Sequence, residues 1–333
     1  IACSTKKNTF LSRNSHALST KYNILYNGGL ALDKGLVDLK TQYQDNFWEQ
    51  LPVERMQISE EKILPGETKN ADFERAETKA IKAIQKHSMN IQGSEKNPQM
   101  DEAHLLLGKS RYYEQRFVPA LEAFNYVLYK YPSSDKIYEV KIWREKTNMR
   151  LGNDAQVLKN IEKLLKEKKL KPQVVADANA LLAESFLNLE EKDSAIAKLK
   201  IAEKNTKINF EKTRYRFILG QLYQELGIRD TALSYYQGVI DMNRKADREY
   251  IIQAYAKRAQ LFDFENGDSD AFVKRYNKLI ADRENRPFEG ILFYEMGVFY
   301  DKYKDQELAK EFYNASIKSK SSDPYLTASS YRN

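Results

Sequence analysis

One spacing recurs along this chain and leaves few folds open to it. A small residue is followed by a bulky one three positions on, an alanine twelve on and a large side chain sixteen on. Gly108, Ala120 and Phe124 form one copy, with Pro132 after them, and Ala183, Phe186, Ala195, Leu199 and Ala202 form another. Gly220, Tyr223, Ala232 and Tyr236 make a third, and Gly297, Tyr300, Ala309 and Tyr313 a fourth. Weaker copies surround Trp143 with Ala155, and Ala259 with Phe262 and Ala271. Small residues at this spacing let two antiparallel helices approach closely, and the large side chains fill the holes that remain. The composition agrees: Gly and Pro together make 21 of 333 residues, about half the average usage. A single Cys rules out a disulfide scaffold. The length exceeds the roughly 250–300 residues at which one core stops growing, so two domains or an extended stack are expected.

The spacing resembles the tetratricopeptide repeat. The resemblance implies an all-α chain built as a tetratricopeptide-like helical-hairpin solenoid, a right-handed superhelix. With position one set seven residues before each small residue, repeats start near 101, 136, 176, 213, 252 and 290. Those steps exceed the usual 34, so helices or turns are lengthened. The repeats then occupy 101–333 and break off inside a following one, as in a piece of a longer protein.

Before residue 100 the pattern is less regular. Residues 12–100 read as a degenerate helical region, with helical spacing over 12–33, 35–50 and 71–87, the first carrying Gly28-Gly29 as the first helix of a degenerate hairpin would. Pro52, Pro65 and Gly66 mark 51–69 as a strap, and 90–99 reads as a loop. No sheet is expected. Residues 1–11 read as an anchor and tether, because Ala2-Cys3 is the end of a bacterial lipoprotein signal, which makes Cys3 a lipidation site; a free or buried thiol is the other reading. From Ile1 to Leu32 there are four basic residues, Lys6, Lys7, Arg13 and Lys21, and no acid, which suits anionic headgroups or a solvated terminus alike. The net charge of +7 is spread over the length and is no nucleic-acid signature.

Two catalytic-looking motifs dissolve on inspection. Asp101-Glu102-Ala103-His104 spells a helicase acidic box and Gly108-Lys109-Ser110 the end of a phosphate loop. A phosphate loop needs a glycine where Ala103 stands, so Asp101 reads as a helix cap or first-turn acid. His16, His87 and His104 lie far apart in sequence and show no metal-ligand spacing. No metal, cofactor or catalytic group is expected. The repeats instead offer a concave groove lined by the first helix of each pair, which at its inward positions carries Lys109, Tyr112, Arg144, Glu184, Arg214, Phe217, Gln221, Gln260, Tyr294, Val298 and Asp301. This mixture suits a protein segment. A chaperone-tail clamp would need Lys and Asn where Leu105 and Lys109 stand.

The N-terminal third carries a more specific likeness. Cys3-Ser4-Thr5-Lys6-Lys7, Arg13-Asn14 with His16-Ala17-Leu18, Lys21-Tyr22-Asn23 with Leu25-Tyr26-Asn27-Gly28, Leu51-Pro52-Val53-Glu54-Arg55, Ile84-Gln85-Lys86-His87-Ser88-Met89, Glu95-Lys96-Asn97-Pro98-Gln99 and Arg116-Phe117 carry it. These segments resemble the SprE/PorW lipoproteins of gliding motility and type IX secretion. The resemblance implies a non-enzymatic outer-membrane lipoprotein facing the periplasm. Its partners would be periplasmic ring subunits, the outer-membrane translocon and, through acylated Cys3, outer-membrane lipid. A generic tetratricopeptide adaptor of the envelope, or the non-catalytic part of a cell-wall enzyme, are the other readings of the same chain.

Overall fold

Helices in antiparallel succession account for most of the described residues. The computed structural model describes residues 4–56, 70–319 and 323–332. Helix α1 (Phe10–Leu18), a π-helical stretch (Ser19–Leu25) and α2 (Tyr26–Gln42) run on without a break, and α3 (Ala71–His87) follows. Asn70 starts α3 by accepting the amides of Asp72 and Phe73 on its side chain at 2.9 and 3.3 Å. Then come α4 (Met100–Tyr113), α5 (Phe117–Lys130), α6 (Ile137–Arg150), α7 (Asp154–Leu165), α8 (Pro172–Asn188) and α9 (Lys192–Asn205). The series continues with α10 (Asn209–Glu225), α11 (Arg229–Ile240), α12 (Arg248–Gln260) and α13 (Ser269–Ala281), and ends with α14 (Glu289–Lys302), α15 (Gln306–Lys318) and α16 (Pro324–Arg332). The fold is an all-α solenoid of helical hairpins.

The chain divides into two compact units, one of residues 1–45 and 54–198, the other of 46–53 and 199–333. In the first, Ile24, Leu32, Phe73, Ala76, Ala80 and Leu106 form one core, and Ile142, Val157, Ile161, Leu182 and Phe186 another. In the second, Ile252, Phe272, Tyr276, Leu292, Met296, Phe299 and Tyr313 pack together.

The recurring small residue has a plain geometric purpose. A Cβ added to Gly220 would stand 2.6 Å from the ring of Tyr236, and one on Gly297 would stand 2.7 Å from Tyr313; on Gly108 it would run into Phe124. These are the pairs that the sixteen-residue spacing selects. Gly220→Leu is therefore expected to push α10 from α11 and cost roughly 1–3 kcal/mol. Thermal melting of the variant checks it, and an unchanged midpoint would show that the two helices have room to spare.

Three expectations need correction. The hairpin expected of 12–33 and 35–50 does not form: one helix runs straight through to Gln42, and Gly28 and Gly35 bring it close to its neighbours, where an added Cβ would meet Leu106 at 2.7 Å and Phe73 at 2.5 Å. The helix expected over 35–50 stops at Gln42, with Tyr43 already extended at φ −78°, ψ 120°. Phe47, Trp48 and Leu51 have helical spacing, but tertiary burial overrides propensity here. Finally, the loop over 90–99 contains a two-residue antiparallel pairing of β1 (Asn90–Ile91) with β2 (Ser94–Glu95). The Glu95 carboxylate organises it, accepting Ser88 Oγ at 2.6 Å and the amides of Met89 and Asn97 at 2.7 and 2.8 Å.

Candidate partner-binding groove

The residues selected for an open groove are, for the most part, already covered by the chain itself. In the second unit, residues 46–53 cross the first helices of successive hairpins as an extended strap. Its path is set locally: the Asn46 side chain accepts the Trp48 amide at 3.1 Å and turns the chain, and Pro52 holds the residue before it extended.

Gln221 reads the strap as a neighbouring strand would. Its amide nitrogen donates to the Glu49 carbonyl at 2.7 Å, and its oxygen accepts the Leu51 amide at 3.1 Å and the Gln50 side chain at 3.3 Å. Arg214, 1% exposed, donates through Nε to the Pro52 carbonyl at 2.9 Å and the Val53 carbonyl at 3.2 Å, and through the guanidinium to the Tyr250 hydroxyl. Aromatic edges complete the seat. Phe47 meets Phe217 and Tyr250 edge-on, both at 5.2 Å between centroids, and Trp48 meets Tyr294 at 5.7 Å. Trp48 Nε1 also donates to Asp323 at 2.8 Å. Arg214, Phe217, Gln221 and Tyr294 thus hold the chain's own strap.

The first unit holds the next residue of the same segment. Glu54 accepts the Tyr112 hydroxyl at 2.5 Å, Lys146 Nζ at 2.7 Å and the Arg150 guanidinium at 2.5 Å. Arg150 Nε also donates to the Tyr112 oxygen at 3.0 Å. Burial alone would raise the Glu54 pKa, but Lys146 and Arg150 outweigh it and hold the carboxyl at about 2. Burial, followed by the Glu54 charge, pushes the Tyr112 phenol well above its usual range. This is a satisfied ion cluster in which no group is poised to exchange a proton near neutral pH. Met56 closes the segment, buried with Leu105, Tyr112, Phe124 and Val140.

The other selected residues are scattered. Lys109 is half-buried, ion-paired to Glu139 at 2.5 Å and 5.2 Å from the centre of the Trp143 ring. Arg144 pairs with its neighbour Glu145 at 2.5 Å, and Glu184 is buried. Val298 is half-buried, whereas Gln260 and Asp301 are exposed. Gln260 donates to Glu295 at 2.8 Å. Burial lifts the Glu295 carboxyl to about 7, which the Gln260 bond and the Lys257 charge only moderate.

A carboxyl raised on folding favours the folded state fully below its ordinary pKa of 4.5, and that advantage is lost as pH rises through 7. Glu295→Gln keeps an acceptor for Gln260 and removes the charge. Relative to the parent it is expected to gain about 2 kcal/mol between pH 5 and pH 8, read from urea midpoints at the two pH values. A constant difference would mean that Glu295 stays ionised throughout.

Sequence reasoning missed Glu54, Lys146, Arg150, Tyr250, Trp48 and Asp323. Only Trp48, a large apolar residue beside a proline-marked strap, carried a local signal. His16 and His87, distant in sequence, meet with their Nδ1 atoms 3.0 Å apart, yet no cluster of three metal-ligating residues occurs among the described residues. Asp101 lies in the first turn of α4, bonded to the Glu102 amide at 2.8 Å. His104 is half-buried against Tyr126 at 4.3 Å, and burial lowers its pKa to about 4. Lys109 and Ser110 are mid-helix, far from any phosphate-loop geometry. Cys3 and residues 57–69 of the strap lie outside the described residues.

Residues 102–134, which cover α4 and α5, match the tetratricopeptide repeat family. That segment is thus a tetratricopeptide repeat set in an all-α solenoid of helical hairpins. No curated protein matches it in sequence. Among solved structures, a thermophilic tetratricopeptide-repeat protein of Thermus thermophilus aligns over 56% of this chain and 91% of its own, at 19% identity and a TM-score of 0.41. The matched repeat contains the Gly108–Phe124 pair, so the family match and the packing geometry rest on the same residues. Tetratricopeptide-repeat proteins present extended surfaces to protein partners.

Proposed function

We propose that this chain is a non-enzymatic scaffold of the type IX secretion and gliding machinery. In this reading it is anchored by an acylated Cys3 to the periplasmic face of the outer membrane and links periplasmic ring subunits to the translocon. The observation that carries it is the set of N-terminal segments resembling the SprE/PorW lipoproteins, placed on a repeat solenoid. The described structure gives many of those residues a fixed task, which supports treating them as a signature rather than chance matches. Leu51 to Arg55 are the strap and its ion cluster, and Glu95 and Asn97 tie the β-turn to Thr20 and the His87 carbonyl. Arg116 binds Glu77, which Arg111 also holds at 2.8 Å.

Because the strap occupies the seats of Arg214, Phe217 and Tyr294, partners are assigned to more open positions such as Asp301, Gln260 and Arg144. The test uses the full-length gene in its own cell. Photo-crosslinkers at Asp301 and Gln260 should capture ring or translocon subunits, and Cys3→Ala should move the protein to the soluble periplasmic fraction and stop cargo export. A Cys3→Ala protein that stays on membranes after a salt wash, with export intact, would sink the anchored-scaffold reading.

A further inference from the structure

The continuous helix from Phe10 to Gln42 buries one face against the first unit and leaves the other bare. The buried face carries Ser12, His16, Thr20, Ile24, Gly28, Ala31 and Gly35. The bare face carries Leu11, Leu18, Tyr22, Tyr26 and Leu30, which are 77, 56, 61, 61 and 50% exposed. A four-residue step overshoots an α-helical turn by about 40°, so the run 18, 22, 26, 30 would wander off one face of a regular α-helix. The π-helical stretch Ser19–Leu25 prevents this: its turns hold more residues, as the Tyr26 amide bonded to the Lys21 carbonyl shows, and the apolar stripe stays aligned.

The charged side chains of this segment before Asp33 have one sign. Lys6, Lys7, Arg13 and Lys21 are exposed in the same N-terminal segment, and no acid occurs before Asp33. The contact of His16 with His87 brings the end of α3 against the buried face of α1. The acids of α2, Asp33 and Asp38, sit at its far end, where Lys34 already pairs with Asp72 at 2.8 Å. Among the described residues no helix is long and apolar enough to cross a membrane.

We propose that the bare face of this helix lies flat on an anionic lipid bilayer, with Leu11, Leu18, Tyr22 and Tyr26 in the interface and the lysines and arginine among the headgroups. Tyrosine and leucine beside Lys and Arg is the composition of an interfacial helix, and the absence of acids from its first half is the complement of anionic lipid. A protein partner for this stripe would be expected to tolerate acids along its rim. The contact is separate from acylation and holds whatever the protein partners are.

The experiment uses the whole chain with Cys3→Ser, so that no acyl group contributes, and co-sedimentation with vesicles of phosphatidylcholine alone or mixed with phosphatidylglycerol. Binding at about 0.1 M salt should be at least about tenfold stronger to the anionic vesicles and should collapse near 1 M, where the screening length falls to about 3 Å. Leu11→Ser with Leu18→Ser, Tyr22→Ser and Tyr26→Ser should lose about tenfold or more while melting like the parent, and glutamine at Lys6, Lys7, Arg13 and Lys21 should remove the anionic preference. Equal binding to both vesicles, or a serine variant that binds like the parent, overturns the proposal. So does a dimer in solution that the serine substitutions abolish, because the face would then belong to a second copy.

Discussion

Arg214→Ala is expected to destabilise the second unit by about 4 kcal/mol. The substitution removes a buried cation that donates to two strap carbonyls and to the Tyr250 hydroxyl. Each of those acceptors loses a charged donor where water cannot easily replace it, and a buried acceptor left unmade costs about 1–3 kcal/mol. The void left by the side chain adds to this. Trp48 reports the event directly, since it sits on Tyr294 and there are two tryptophans in the chain. In a Trp143→Phe background, urea unfolding followed by Trp48 fluorescence should show the midpoint fall, with a Phe47→Ala variant shifting the same transition by a smaller amount. A midpoint within error of the parent would mean that the strap is held without Arg214, and that the groove is open to outside ligands after all.

The second large effect belongs to Glu54. Its carboxyl sits at about 2 in the folded protein against an ordinary 4.5, a difference worth about 3 kcal/mol. A depressed carboxyl stabilises the folded state at pH values above its unfolded pKa. That contribution is present in full above about pH 5 and drains away as pH falls towards 2. Glu54→Gln should therefore cost about 3 kcal/mol or more at pH 7, because Lys146 and Arg150 lose their counter-charge while still partly buried. The variant should also show a flatter loss of stability between pH 5 and pH 2. Chemical denaturation across that range tests both parts, and parallel pH curves for parent and variant would show that Glu54 is not the titrating group.

What could be read from the sequence was what local physics enforces. The sixteen-residue pairing of Gly220 with Tyr236 and of Gly297 with Tyr313 is visible because two adjacent helices joined by a short turn must meet at fixed offsets. Helix α3 is visible for a similar reason, through Asn70 at its start and Phe73, Ala76 and Ala80 along one face. The inward orientation of Arg214, Phe217, Gln221 and Tyr294 also follows from repeat register. Their occupant does not. Nothing near Arg214 marks it as a clasp for Pro52, because the two are 162 positions apart and neither is unusual where it stands. The same limit hid the approach of His16 to His87. Trp143 shows it in another form: it stands where stronger copies have a small residue, and its ring stacks 6.2 Å from Phe124 with Lys146 at 4.7 Å on its face. A departure from the pattern is legible as a departure, but the rings and cations that accommodate it come from elsewhere in the chain.

The strap also dictates an order of events when the chain first folds. Hairpins such as α4–α5 or α14–α15 close over a few tens of residues, whereas the strap must find partners at separations of 161 to 275 residues. Loop closure costs about 0.6 kcal/mol more for each doubling of length, and contacts of this range slow folding far more than they weaken the product. During synthesis at about 5–20 residues per second, Phe47, Trp48 and Leu51 emerge roughly 10–30 s before the groove that will cover them. Residues 54–198 are made in that interval and, with residues 1–45, form the first unit. The wait leaves a sticky aromatic segment exposed on every nascent chain.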